Sequence, residues 1–146
     1  MENLFVIEGD ARSWDEAIEL CCAKLQKEGI VEASFCQACI EREKVFPTGL
    51  PTPLGVAIPH ADSGLVKTDG ICFLRLKNQV TFQRLDDPEQ SVGVNYVINL
   101  ATKNPDEHIH ILQRVMAFAQ DPQKLNYFLN ASLDEMKREL RVYLAV

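Results

Sequence analysis

Three histidines, His60, His108 and His110, are the side chains of this sequence most suited to chemistry at neutral pH. An imidazole can act as a nucleophile or bind a metal ion near pH 7. His60 follows Pro59 at the end of the apolar run 56–58, so a strand there would place the imidazole at the edge of a sheet. Ligands often bind at such edges in α/β proteins. A half-buried histidine held by a carbonyl fits the same position, so both interpretations stay open.

The sequence Asn-Pro-Asp-Glu at 104–107 predicts a helix start with Asn104 as the N-cap, which places His108 in the first turn. The N–H groups and the dipole of a helix N-terminus attract anions, so His108 could help to hold a phosphate. Two residues along a helix correspond to a rotation of about 200°. We therefore predict that His108 shares a site with His60 and that His110 lies on the solvent-exposed surface.

Metal binding is an alternative that the same residues raise. His60, Asp62 and His108 offer a ligand mixture suited to zinc or iron, which would indicate a metal-dependent hydrolase. Cys36 and Cys39 have the spacing of a zinc or redox pair, but they lack a second pair and do not follow a strand. We expect these cysteines to be small core residues of a helix.

Other reaction classes lack their characteristic motifs. The sequence contains no glycine-rich loop that ends in Lys-Ser or Lys-Thr, and no nucleophile-elbow pattern. An imidazole nucleophile remains, with a second imidazole and arginines available to hold an anion. This set suits phosphoryl transfer through a phosphohistidine, because donors around the phosphoryl oxygens stabilise the charge that spreads over them.

Composition limits the setting of this chemistry. The chain has 146 residues, 47% of them hydrophobic, which is enough for one compact domain. It has 21 acidic and 15 basic residues and a net charge of -6, so we expect no nucleic-acid partner. No apolar stretch approaches the roughly 18 residues of a membrane span, and no signal peptide is recognisable, so we expect a cytoplasmic protein. The odd number of cysteines, five, indicates reduced thiols.

The elements that must position these residues follow from periodicity and turn signals. Ser13 and Glu16 have capping-box spacing before a helix that runs to Gly29, and the proline- and glycine-rich stretch 46–55 predicts a loop. The remaining patterns predict an edge strand at 3–7, strands at 56–58, 70–76, 80–82 and 92–100, and helices at 34–44, 104–120, 123–129 and 133–143. An apolar stripe in the helix after residue 104 should contain Ile109, Leu112, Val115, Met116 and Ala119. The pattern indicates an α/β (α+β) layer architecture, without the strand order.

Four segments, in order, resemble the motifs of the mannitol/fructose-type (type 2) enzyme IIA domain of the bacterial sugar phosphotransferase system. They are Glu-Arg-Glu-Lys at 41–44, Pro-Thr-Gly at 47–49, Val-Ala-Ile-Pro-His at 56–60 and Asn-Pro-Asp-Glu-His-Ile at 104–109. The resemblance covers residues 1–146 as one domain, and the proline-rich loop most resembles the galactitol-type branch. It implies a mixed parallel and antiparallel sheet flanked by helices.

The resemblance also implies roles for individual residues. His60 would be the phosphorylated nucleophile, and His108 would position and stabilise the phosphoryl group. Arg42 would hold phosphate oxygens or the active-site loop, and Thr48 would contribute a hydroxyl or a loop hydrogen bond. The loop before His60 is longer than the common form, so the role of Thr48 could instead fall on Thr52.

The function implied is that of a phosphoryl carrier in the uptake of a sugar or sugar alcohol. Phosphate would come from the phosphocarrier protein HPr and pass to a cysteine of a cognate enzyme IIB, which works with the membrane enzyme IIC. No cofactor, metal or direct membrane insertion is expected. A regulatory module of the same fold, whose phosphorylation state a partner senses, is the alternative.

Overall fold

A four-stranded sheet with helices on both faces makes up the computed structural model, which describes residues 3–144. The strands are β1 (Leu4–Gly9), β2 (Gly55–Ala57), β3 (Gly70–Gln83) and β4 (Ser91–Ala101). The helices are α1 (Trp14–Lys27), α2 (Phe35–Val45), α3 (Pro105–Ala119), α4 (Pro122–Phe128) and α5 (Leu133–Tyr143), and one 3-10 turn spans Ser63–Leu65. The predicted positions of the helices are confirmed within a few residues.

The strand order is β1-β3-β4-β2. β1 runs parallel to β3, β3 runs antiparallel to β4, and β4 runs parallel to β2. The sheet is therefore mixed, as expected, and β1 is an edge strand, as predicted for residues 3–7. The two long apolar strands, β3 and β4, occupy the centre.

Two apolar clusters, one on each face of the sheet, form the core. Side chains of α1 and α2 pack in one cluster, and side chains of α3, α4 and α5 pack in the other. Along β4 the alternation of side chains sends Tyr96 and Ile98 to the second cluster and Val97 to the first. Because helices pack on both faces of the sheet, the edge at which β2 ends is held in place from both sides.

Residues 70–76 and 80–82, predicted as separate strands, belong to the single strand β3. The pairing of β3 with β4 shifts register between Arg75 and Val80. The segment of β3 between these two residues is longer than the segment of β4 that lies opposite it. The exposed polar residues in this shift interrupt the alternation that predicts a strand, although the backbone continues. The sequence pattern therefore predicted two strands where the structure has one strand with a bulge.

Two local details of the helices differ from the prediction. Ser13 is the N-cap of α1, but its side chain makes no capping hydrogen bond, and the Glu16 carboxylate accepts the N–H of Arg12 at 2.9 Å. In α3, Ile109 is 53% exposed, while Ile111 and Phe118 take core positions. The predicted stripe was wrong at its first residue because α3 meets the core along a face rotated away from Ile109.

The five cysteines carry free thiols, and four of them are buried. Cys36 and Cys39 lie in the first turns of α2, where Cys39 packs in the core between α1, α2 and the sheet. Their predicted role as small apolar residues is confirmed for Cys39, and Cys36 packs against the edge of the same cluster. Among residues 3–144, no helix is long and apolar enough to span a membrane.

Candidate functional site

The parallel pairing of β2 and β4 brings the first two candidate residues together. Parallel strands end at the same edge of a sheet, so the segment after β2, which holds His60, meets the start of α3 after β4. The N–H of Leu100 donates to the carbonyl of Pro59 at 3.1 Å, which extends this pairing beyond β2. The ring centroids of His60 and His108 are consequently 5.0 Å apart.

An open cleft of about 290 Å³ surrounds the two imidazoles. Helix α2 contributes Arg42 to its wall, and the segment after β4 contributes Thr102. The complete lining is Arg42, His60, Ala61, Asp62, Ser63, Thr102, Asn104, Pro105, His108 and Ile109. Three of the four sequence-predicted site residues therefore share one cleft.

The hydrogen bond of His60 determines which ring nitrogen can react. Its Nδ1 lies 2.9 Å from the carbonyl oxygen of Ile58. A carbonyl only accepts hydrogen bonds, so Nδ1 carries the proton and Nε2 has a free lone pair. Burial lowers the pKa of His60; the hydrogen bond to the Ile58 carbonyl opposes this, and the nearby charge of Arg42 and the imidazole of His108 add to the lowering. His60 is therefore a neutral Nδ1–H imidazole at pH 7, which is the nucleophilic form.

His108 is fixed by its neighbour at the end of β4. Its Nδ1 lies 2.8 Å from the hydroxyl oxygen of Thr102, which is buried. Burial lowers the pKa of His108, and the charge of Arg42 adds to this effect. Both imidazoles are thus neutral at pH 7, and the permanent positive charge among the residues that line the cleft comes from Arg42. His110 is exposed, as the helix rotation predicted.

Arg42 presents its guanidinium to the cleft without a bound carboxylate. Within residues 3–144 no salt bridge involves Arg42, and its guanidinium carbon lies 5.3 Å from the centre of the Phe46 ring. This stacking holds the side chain at the end of α2 while its N–H donors face solvent. An anion in the cleft could therefore bind these donors without displacing a protein carboxylate.

The N-terminus of α3 differs from the expected anion site. The side-chain oxygen of Asn104 accepts the N–H of Asp106 at 2.8 Å and that of Glu107 at 3.4 Å. These are the N–H groups that an incoming phosphate would otherwise bind. Asn104 is confirmed as the N-cap. Because it occupies these N–H groups, α3 supports the site through the helix dipole and through the side chain of His108.

Thr48 lies outside the cleft lining, in a buried network behind the loop. Its hydroxyl contacts the Glu43 carboxylate at 2.9 Å and accepts the N–H of Ile58 at 3.0 Å. The Thr52 hydroxyl instead donates to the carbonyl of Leu54 at 2.7 Å. Of the two threonines considered from the sequence, Thr48 is the one that contacts the segment leading to His60.

Sequence reasoning gave no role to two residues that contact the site residues. Thr102 holds His108, and Glu43, 6% exposed, holds Thr48. Glu43 belongs to the Glu-Arg-Glu-Lys segment that marked Arg42, but among these charged residues nothing local distinguishes the one that is buried. No pattern around Thr102 indicated a role, because its contact with His108 forms only once the chain has turned from β4 into α3.

The metal alternative requires three ligands around one ion. Among residues 3–144, no group of three or more histidine, cysteine, aspartate or glutamate side chains has a geometry that could hold a metal ion. His60, Asp62 and His108 line the same cleft without forming such a group.

Phosphoryl transfer requires an unprotonated nucleophile and donors around the phosphoryl oxygens, and the cleft has both. The fold and the site together are those of a phosphotransferase that uses histidine. The chain belongs to the family described as "Phosphoenolpyruvate-dependent sugar phosphotransferase system, EIIA 2", whose model matches residues 1–140. The expected family and the expected class, a phosphoryl-carrying component of sugar uptake, are thereby confirmed.

Individual relatives extend over nearly the whole chain. The galactitol-specific EIIA component of Escherichia coli (strain K12) is 31% identical, over 98% of this chain and 96% of the relative. The crystal structure of IIA mannitol from Escherichia coli superposes with a TM-score of 0.72 at 29% identity, covering 99% of this chain and 96% of the other. The complex of Escherichia coli mannitol enzyme IIA with phosphorylated enzyme IIB gives 0.72 at 28% identity, covering 99% and 94%.

Proposed function

We propose that Nε2 of His60 receives a phosphoryl group from phosphorylated HPr and passes it to a cysteine of a cognate enzyme IIB. The observation that carries this assignment is the hydrogen bond from His60 Nδ1 to the Ile58 carbonyl, since it leaves Nε2 unprotonated in the cleft. The lowered pKa of His60 keeps this form populated at neutral pH.

The two transfers balance as in-line substitutions at phosphorus. In the first, the Nε2 lone pair forms a bond to phosphorus while the phosphorus–nitrogen bond of the donor histidine breaks and its electron pair stays on the donor. The phosphorylated His60 ring then carries positive charge, and the Ile58 carbonyl stabilises it through the Nδ1–H. In the second, a cysteine thiolate attacks phosphorus and the bond to Nε2 breaks, which restores neutral His60.

Donors for the phosphoryl oxygens come from several sides of the cleft. Arg42 supplies guanidinium N–H groups. His108, whose ring centroid lies 5.0 Å from that of His60, supplies a ring nitrogen. The backbone N–H groups of Ala61 and Asp62 donate no hydrogen bond within residues 3–144, so they are also available. With a net charge of -6, the affinity for phosphate must arise from this local set.

The names of the relatives support the choice of partners and substrate. One relative is galactitol-specific, and one solved structure contains phosphorylated enzyme IIB with mannitol enzyme IIA. A sugar alcohol of the galactitol type is therefore the proposed transported substrate, with enzyme IIC as the membrane component. The proposed location is the cytoplasm, where HPr would reach the cleft.

A phosphorylation assay tests the assignment of His60. The protein is incubated with phosphoenolpyruvate, enzyme I and HPr, and an acid-labile phosphoryl adduct is measured. We expect His60→Ala to abolish the adduct and His108→Ala to reduce it, while His110→Ala, an exposed position on α3, serves as the matched control. An adduct that persists without His60 would show that another residue is the carrier.

Discharge of the adduct tests the second transfer. Purified phosphoprotein is mixed with the enzyme IIB of the same system, and loss of phosphate from this chain is followed over time. Rapid discharge supports the transport role. A stable adduct in the presence of cognate enzyme IIB would favour the regulatory module instead.

A further inference from the structure

A buried carboxylate behind the cleft begins a chain of hydrogen bonds that ends at His60. Glu43 is 6% exposed. Its carboxylate accepts the N–H of Thr48 at 2.7 Å and the hydroxyl of Thr48 at 2.9 Å. A buried carboxylate is costly unless its oxygens are satisfied, and here Thr48 supplies both donors.

Thr48 transmits this constraint to the backbone before His60. A threonine hydroxyl has one hydrogen, and because that hydrogen points to Glu43, an oxygen lone pair remains for the Ile58 N–H at 3.0 Å. Ile58 lies just beyond β2, where its N–H has no ladder partner among the described residues. The side chain of Thr48 therefore replaces a sheet hydrogen bond at this residue.

The carbonyl that holds His60 belongs to the Ile58–Pro59 peptide, which has no N–H of its own. Two flanking hydrogen bonds fix it: Thr48 holds the Ile58 N–H, and the N–H of Leu100 holds the Pro59 carbonyl. The carbonyl oxygen of Ile58 is thus directed at Nδ1 of His60 at 2.9 Å. Loosening either flank would let this peptide rotate.

We propose that Glu43 is a positioning residue which, through Thr48 and the Ile58 backbone, holds His60 in the Nδ1–H tautomer. Its importance for transfer follows from the proposed role of His60, but its effect on the tautomer does not depend on that role. Free histidine favours the proton on Nε2, so the protein must stabilise the other tautomer to leave the reactive nitrogen unprotonated. Glu43 does so without touching His60 or the phosphoryl group.

Nitrogen-15 NMR of the histidine rings measures this tautomer directly. Thr48→Val removes the hydroxyl at nearly constant shape, and Glu43→Gln replaces one acceptor oxygen by an N–H donor. Measured at about pH 8, where Glu43 is ionised because its pKa is about 7, both variants should shift His60 from Nδ1–H toward Nε2–H. Thr48→Ser, which keeps the hydroxyl, should restore the wild-type tautomer. Thr52→Val is the matched control, because it removes a hydroxyl of the same loop that donates to the Leu54 carbonyl instead of contacting the segment before His60.

The rate of phosphorylation by HPr gives the second readout. The loss of one orienting hydrogen bond predicts a rate about tenfold lower in Thr48→Val and Glu43→Gln. Circular dichroism confirms that each variant is folded before either measurement. An Nδ1–H signal that is unchanged in both folded variants would overturn the proposal. If the wild type is not phosphorylated at His60, the proposed function fails, while the tautomer measurement still tests the role of Glu43.

Discussion

The buried Glu43 carboxylate predicts a specific dependence of stability on pH, measurable with Glu43→Gln. Burial raises the pKa of Glu43 from 4.5 to about 7, against the hydrogen bonds from Thr48 and the charge of Arg42, which lower it. A difference of this size between the folded and unfolded chains corresponds to roughly 3 kcal/mol. Since Glu43 is 6% exposed, solvent screening removes little of this energy.

The direction follows from proton binding. Between pH 4.5 and 7 the folded chain holds the Glu43 proton more tightly than the unfolded chain does. The stability that Glu43 contributes is therefore fully present below pH 4.5 and is lost as the pH rises to about 7. Glutamine resembles the protonated acid and does not titrate, so the variant lacks this loss.

Urea unfolding at pH values from 4 to 8 measures the free energy of unfolding of both proteins. The free energy of unfolding of the wild type minus that of Glu43→Gln should fall by roughly 3 kcal/mol as the pH rises from 4.5 to about 7. His60 and His108 titrate in both proteins, so their contribution largely cancels. Glu41→Gln, which removes one negative charge from an exposed position of the same helix, corrects for net charge. A difference that stays flat between pH 4.5 and 7 would refute a raised Glu43 pKa.

Two further predictions concern the cleft and the strand that leads to it. Arg42→Met should raise the pKa of His60 and of His108 in an NMR titration, because the charge of Arg42 lowers both. Unchanged pKa values would show that the guanidinium does not act on the two imidazoles. Gly55→Ala should lower the free energy of unfolding by about 2 kcal/mol or more, because a Cβ at this position would meet the backbone of β4, whereas Gly64→Ala, which faces open space, should be near neutral. Equal stabilities of the two alanine variants would contradict the close approach of β2 to β4.

The residues of the site that local sequence could predict are those with their own positional signal. His60 stands after an apolar run and a proline, and His108 stands in the first turn of a capped helix, so both were identified from spacing. The strand order that places their rings 5.0 Å apart could not be predicted, because it depends on which strands pair rather than on local sequence.

The network behind the cleft was beyond sequence reasoning for a related reason. Glu43 looks like one more charged residue at a helix end, and nothing local shows that its carboxylate is buried on Thr48. The bulge between Arg75 and Val80 was predicted as a gap because exposed polar residues break the alternation within one strand. In both places tertiary contacts decide what the local pattern leaves undetermined.

The outer side of β2 is occupied by the chain itself, and this affects how other proteins can attach. The N–H of Leu50 donates to the carbonyl of Val56 at 2.7 Å, so the loop forms a bridge along the edge of this three-residue strand. Pro53 and Pro59, which lack N–H donors, stand on either side of β2. A strand from another molecule therefore finds almost no free backbone to pair with, which protects this edge from aggregation by strand addition. Proteins that bind at the cleft therefore cannot do so by adding a strand to β2 and must contact the side chains and loops around it instead.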